Sequence, residues 1–202
     1  MSITNQKNRH LVSIFILIDY IILSSCDILL YMKRINDREF FTSSTIDLAK
    51  NLLGKYIVVT IDGTKYSAQI SETEAYLGVD DSACHTYQGK RTSRTEPMWQ
   101  NGGTIYVYLC YGMHYLLNIV SRSVDQPEAV LIRATIEAPG PAKLTKHLHI
   151  DKSFNGEDII DNPRLSIFDD GTKYEYITAP RVGIDYATDS DRLAPLRYIL
   201  KK

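Results

Sequence analysis

The alternation of apolar and polar positions along the chain predicts most of its elements. Residues 11–31, LVSIFILIDYIILSSCDILLY, form one long apolar run, with Lys7, Arg9 and His10 before it and Lys33 and Arg34 after. From about Glu39 the pattern becomes that of a globular domain. Ser44 or Thr45 can cap a helix through Lys50 and Leu53, with Ile46, Ala49 and Leu53 on one face and Gly54 as its stop. YIVVTI, the turn pair Asp62-Gly63 and a second run from Tyr66 predict a β-hairpin. A polar loop spans 78–103, and TIYVYLCYGMHYLLNIV, broken at Gly112, reads as a second hairpin. Residues 129–134 form a further buried run, and Pro141 suits the first position of a helix carrying Leu144 and Leu148. Strands without regular βαβ alternation predict an antiparallel α+β domain.

Composition narrows the class. A chain of 202 residues can build one substantial core. Its apolar, charged and Gly/Pro fractions exclude disordered and fibrous classes. A net charge of -1 gives no global basic field, so any nucleic-acid contact must come from a local patch. Cys26, Cys84 and Cys110 are odd in number and lack CxxC or Cys/His spacing, which speaks against a disulfide framework and a zinc site and for a reducing, cytoplasmic compartment. The N-terminal extension, 1–37, set apart from a globular domain over 38–202, has three readings. It is a membrane anchor, a helix packed on the domain, or upstream sequence not normally translated. Asp19 and Asp27 inside it are costly in a bilayer, and Met32-Lys33-Arg34 reads as an ordinary protein start, which favours the third and leaves no stable membrane partner.

Several residues could carry chemistry. In SETEAY, strand alternation puts Glu72, Glu74 and Tyr76 on one face, continuing that of Tyr66, Ala68 and Ile70. Carboxylates on an apolar face need partners, although a strand leaving the core would solvate them equally well. The second hairpin presents Tyr106, Tyr108 and Cys110 on one face, with Tyr111 and Gly112 at its tip. An aromatic there can wedge between stacked bases, and tyrosines in strands also serve simply as packing. Asn118 and Arg133 sit inside apolar strands and need hydrogen-bond partners. Lys90, Arg91 and Arg94 could grip phosphates or be a solvated loop, and Gly140-Pro141-Ala142-Lys143 opens a helix as a weak phosphate motif.

Together, ETEAYLGVDDSACH, YVYLCYGMHYLLNIV, VLIRA and GPAKLTK, in this order, closely resemble the alkyladenine (3-methyladenine) DNA glycosylase family. The resemblance runs from about Arg38 to the C-terminus, includes APRVGIDYA and leaves out the N-terminal run. It implies a single mixed domain on a curved antiparallel sheet with surrounding helices, and a hairpin that protrudes into the DNA minor groove. It implies Glu74 as the base that activates water and Arg133 as the residue that helps hold that water and Glu74. Tyr76, His85 and Tyr108 look like pocket walls, and Asn118 like the group that collides with a guanine amino group. Tyr111, with Met113 beside it, looks like the wedge; Arg91, Arg94 and Lys143 are backbone-contact candidates from their own positions rather than from the resemblance. Bacterial relatives usually carry Ser where Cys84 stands and TPRN where this chain has Thr92-Ser93-Arg94-Thr95. Neither departure removes a catalytic residue.

The implied chemistry is self-consistent. A base must leave the stack before it can be excised. Sugar hydrolysis normally takes two carboxylates, but a cationic alkylpurine leaves without a protein acid, so one base suffices. No amine nucleophile stands in these motifs, which points to an abasic site without strand cleavage, with no metal or cofactor. The implied partner is duplex DNA containing damaged purines, bound by a monomer. Other classes are a non-enzymatic binding module, which would lose Glu74 and Arg133, a membrane-anchored protein, and a nucleoside hydrolase indifferent to duplex DNA.

Overall fold

The computed structural model describes residues 31–201. The N-terminal run, with its three readings as anchor, packed helix or untranslated sequence, lies almost wholly outside the described residues. Among the described residues no helix is long and apolar enough to cross a membrane.

The fold of residues 33–201 is α+β: a curled antiparallel sheet of nine strands with four short helices around it. The strands are β1 (Lys33–Ile35), β2 (Tyr56–Ile61), β3 (Thr64–Tyr76), β4 (Ile105–Cys110), β5 (His114–Ser121), β6 (Glu128–Thr135), β7 (Leu165–Asp169), β8 (Tyr176–Ala179) and β9 (Arg197–Leu200). They order as β1-β7-β2-β3-β6-β5-β4, with β9 also pairing with β3 and β8 with β9. The helices are α1 (Arg38–Thr42), α2 (Thr45–Leu52), α3 (Pro141–His147) and α4 (Asp189–Leu193). Both predicted hairpins form, β2–β3 and β4–β5. Asp62 and Gly63 turn the first with φ of 49° and 79°, the left-handed pair that Asp-Gly supplies at low cost. Pro141 opens α3 as expected.

Helix α2 is capped by Ser44, whose hydroxyl accepts from the Asp47 amide. Its buried face is Thr45, Leu48, Ala49 and Leu52 rather than Ile46, Ala49 and Leu53. The helix stops at Leu52, so Leu53, extended, reaches the core from outside the helical period. That face packs on a core shared by every central strand: Ile57 and Val59, Ala68 and Ile70, Ile105 and Val107, Leu117 and Ile119, Val130 and Ile132.

Alternation then puts the next residues on the opposite face. Tyr106, Leu116, Asn118, Val120, Ala129 and Leu131 line the second side of the sheet. Strand β3 departs from simple alternation. Ala68 and Ile70 belong to the main core, and so does Ala75, five residues on from Ile70, an odd step that an unbroken pleat cannot make. The pairing of β3 with β6 shifts register between Ile70 and Glu72 and again between Glu72 and Thr73. This irregularity re-aims the strand. Before it, even-numbered residues face the main core; after it, Thr73 and Ala75 do, and Glu74 and Tyr76 turn to the second side. The expectation that Glu74 and Tyr76 continue the face of Ala68 and Ile70 is thus corrected.

Candidate active site

On the second side of the sheet lies a cavity of about 270 Å³, at the lower end of the range for small-ligand sites. Its walls are largely aromatic: Tyr76 from β3, Tyr106 and Tyr108 from β4, and His85 from the loop after β3. Asn118 from β5, Arg133 from β6 and the first turn of α3 at Pro141 and Ala142 complete much of the rest. Strand pairing sets these positions. Tyr106 lies opposite Asn118, and Asn118 opposite Leu131 on its other side.

Glu74 is fully buried beside this cavity, and both its oxygens are held. Oε2 accepts from the Tyr76 hydroxyl at 2.9 Å. Oε1 accepts from the Val182 amide at 2.9 Å and lies 3.3 Å from Arg133 Nε. The same Nε is closer to Glu72, at 3.0 Å, and Arg197 Nη1 donates to that Glu72 oxygen at 3.1 Å. Burial pushes the Glu74 carboxyl above the usual carboxylate range, although Arg133, the Val182 amide and the Tyr76 hydroxyl all pull it down. A carboxylate so placed binds a proton more tightly than an exposed one, which suits a general base.

His85 Nδ1 lies 2.9 Å from the Tyr106 hydroxyl, and its Nε2 faces Arg94 at 3.4 Å. Burial, with Arg94 and Lys90 nearby, drives its pKa down to about 4, so the ring is neutral at pH 7. Its plane meets Tyr108 edge-on at 4.7 Å between centroids. Asn118 Nδ2 donates to the Tyr106 carbonyl at 3.1 Å, which ties β5 to β4 and fixes the amide in the pocket wall.

At the mouth stands the β4–β5 tip. Tyr111 and Gly112 have φ of 52° and 71°, a turn closed by the Met113 amide donating to the Cys110 carbonyl at 3.2 Å. Tyr111 is 88% exposed and Met113 70% exposed. A bulky residue held in the left-handed region with its ring in solvent is strained without packing to show for it.

The predicted cations separate. Arg94 sits on the rim, its guanidinium 5.2 Å from the Tyr108 ring. Arg91 is committed elsewhere: it forks onto Glu96, reaches Asp125 at 2.9 Å and lies over Trp99. Lys143 is exposed on α3, one residue beyond the pocket-lining Ala142.

Sequence reasoning missed a second buried group. Arg181 is paired with Asp81, Nη1 at 2.5 Å and Nη2 at 2.8 Å, and also donates to the Ala75 carbonyl at 3.0 Å. Its guanidinium lies 4.7 Å from the Tyr76 ring, and the next residue supplies the Val182 amide to Glu74. Tyr186, whose hydroxyl donates to the Ala83 carbonyl at 2.9 Å, joins the pocket rim from the same segment. The buried charge inside APRV was the available signal.

The chain matches the profile of the family described as methylpurine-DNA glycosylase over residues 39–139 and 137–202. The chain belongs to this family. A relative from Natranaerobius thermophilus is 40% identical over 181 residues, 78% of this chain and 91% of its own. One from Borreliella burgdorferi is 41% identical over 178 residues, 82% of this chain and 95% of its own. A third, from Desulfitobacterium hafniense, is 40% identical over 197 residues, 84% of this chain and 96% of its own. All three bear the name 3-methyladenine DNA glycosylase. A methylpurine-DNA glycosylase is a DNA repair hydrolase of N-glycosyl bonds, and the matched span includes every residue of the cavity described above.

Proposed function

We propose that this chain is a monofunctional 3-methyladenine-type DNA glycosylase that flips alkylated or deaminated purines from duplex DNA and hydrolyses the N-glycosidic bond with a water activated by Glu74. The observation that carries the reading is the Glu74 carboxylate: fully buried, held through both oxygens, and set against an aromatic cavity beneath an exposed aromatic turn.

Tyr111, with Met113, fills the gap that the flipped nucleotide leaves in the duplex. The extruded base enters between Tyr76, His85 and Tyr108, where any purine can stack. Stacking alone cannot separate adenine-like from guanine-like purines, so a group must stand against the extra exocyclic amine. Asn118 does this, its orientation fixed by its bond to the Tyr106 carbonyl. Arg94 on the rim and Lys143 on α3 contact the phosphate backbone. Arg91, already bonded to two carboxylates, contributes less to that contact than the sequence pattern implied.

In the reaction, water adds to C1′ and gives a proton to Glu74. The bond from C1′ to the base nitrogen breaks, and its electron pair leaves with the base. A 3-methyladenine-type base is already cationic, so it departs neutral without a protein acid. Arg133 helps to hold the water and the carboxylate. The enzyme acts as a monomer in the cytoplasm, a compartment that the lack of a disulfide framework supports.

Duplexes carrying one defined lesion each, incubated with the full chain and analysed with and without alkali, test this reading. Alkali-dependent cleavage at alkylated or deaminated purines is expected. Strand cleavage without alkali, a borohydride-trapped adduct, or equal release from free nucleosides would contradict it.

A further inference from the structure

A single base leaves Glu72 and Arg197 without a task, although Glu72 reaches the same guanidinium as Glu74 and Arg197 reaches Glu72. Arg133 Nε stands 3.0 Å from Glu72 Oε1 and 3.3 Å from Glu74 Oε1, and Arg197 Nη1 donates to Glu72 Oε1 at 3.1 Å. Strand pairing builds this chain of alternating charge. Glu74 lies opposite Leu131 on β6 and Arg197 on β9, and Glu72 opposite Ala134 and Ile199. Glu72, Arg133 and Arg197 are all four-fifths buried or nearly so, with side-chain exposures of 18%, 20% and 24%. Solvent therefore screens them weakly.

We propose that Glu72 and Arg197 are positioning residues of opposite sense: Glu72 draws Arg133 away from Glu74, leaving the Glu74 carboxylate basic enough to take the proton of the attacking water, and Arg197 moderates that pull. The proposal rests on the reading of Glu74 as general base.

The physical argument is one of shared charge. A guanidinium devoted to Glu74 would stabilise its ionised form and weaken it as a base. Glu72 takes the closer position on Arg133, and its own negative charge opposes ionisation of Glu74, in line with the direction of the Glu74 shift. Arg197 moderates Glu72 in turn, so that the pull of Glu72 on Arg133 stays partial. The other groups that face Glu74 are Tyr76 on its own strand, and Arg181 and Tyr186 from the segment that carries the Val182 amide. Arg181 is held by Asp81 and the Ala75 carbonyl, so it is not free to compensate.

Because the two residues act in opposite senses, two substitutions separate tuning from mere structure. Single-turnover excision of one lesion is measured against pH for the full-length wild type, Glu72→Gln, Arg197→Gln and Glu74→Gln, with a melting curve for each. Glu72→Gln gives Arg133 to Glu74, so the acidic limb should move down by about one pH unit and the plateau rate should fall. Arg197→Gln leaves Glu72 on Arg133 unmoderated, so the limb should move up. A structural role would lower rates or melting points in both without opposite displacements. Unmoved limbs, or limbs moved in the same direction, overturn the proposal. If Glu74→Gln retains excision, the general-base reading itself fails, a result distinct from the first.

Discussion

Two of the arginines within reach of strand β3, Arg181 and Arg133, are partnered in opposite ways. Arg181 is closed off: its side chain is 0% exposed and grips both oxygens of Asp81. Arg133 is shared: one nitrogen serves two carboxylates, and its 3.3 Å approach to Glu74 is longer than either bond between Arg181 and Asp81. The first arrangement satisfies the charges it buries and pins the segment that delivers the Val182 amide. The second leaves Glu74 buried with its charge only partly matched, which is why burial dominates its shift. A closed pair builds the site, and an open one keeps a group reactive.

The largest effect should come from breaking the closed pair. Arg181→Met strands Asp81 in the interior and removes the bonds that hold residues 75 and 81 to the later segment. A loss of about 3–5 kcal/mol is expected, read as a drop in melting temperature or denaturant midpoint. A loss below about 1 kcal/mol would mean that the pair is not structural.

Tyr111 sharpens the contrast from outside, because it serves the working side alone. Tyr111→Ser should leave stability within about 0.5 kcal/mol, since the ring is exposed. It should weaken binding and flipping of stacked lesions by a few kcal/mol, the cost of an unfilled gap, and affect unpaired lesions less. A lower melting point with equal losses in every context would identify a packing residue.

Glu74 has the reverse signature. Its folded-state pKa is raised, so the ionised group costs stability above that pKa, and the cost vanishes below the unfolded value, where both states are protonated. Glu74→Gln should therefore melt higher at neutral pH, by about 1 kcal/mol, with the advantage fading as pH falls through the carboxylate range. A pH-independent difference would contradict this.

Asn118 is mixed: its amide stands in the pocket wall and also ties β5 to β4. Asn118→Ser should raise excision of guanine lesions relative to adenine lesions by about tenfold, within the range for one pocket contact. An unchanged ratio in a mutant that melts earlier would leave it only the strand tie to Tyr106.

Much of this organisation is legible in the sequence, for definite reasons. Asp62-Gly63 marks the first hairpin because few pairs tolerate two left-handed residues, and Gly112 marks the second because a glycine breaks its apolar run. Alternation along β4, β5 and β6 is unbroken, so it sorts Tyr106, Tyr108, Asn118 and Arg133 to the pocket side correctly. It fails on β3 because the irregularity near Glu72 reverses the faces, and nothing in SETEAY announces an extra residue. The pairing of Arg181 is not legible because its partner Asp81 lies 100 positions away in irregular chain. Arg91 looked free because Asp125 approaches it only in the fold.

The most direct test of the whole account is single-turnover excision by Glu74→Gln on a duplex with one 3-methyladenine-type lesion, with binding of the same duplex measured alongside. The account predicts lesion binding near that of the wild type and no abasic sites above the uncatalysed background. Excision near the wild-type rate would show that another group activates the water and would contradict it.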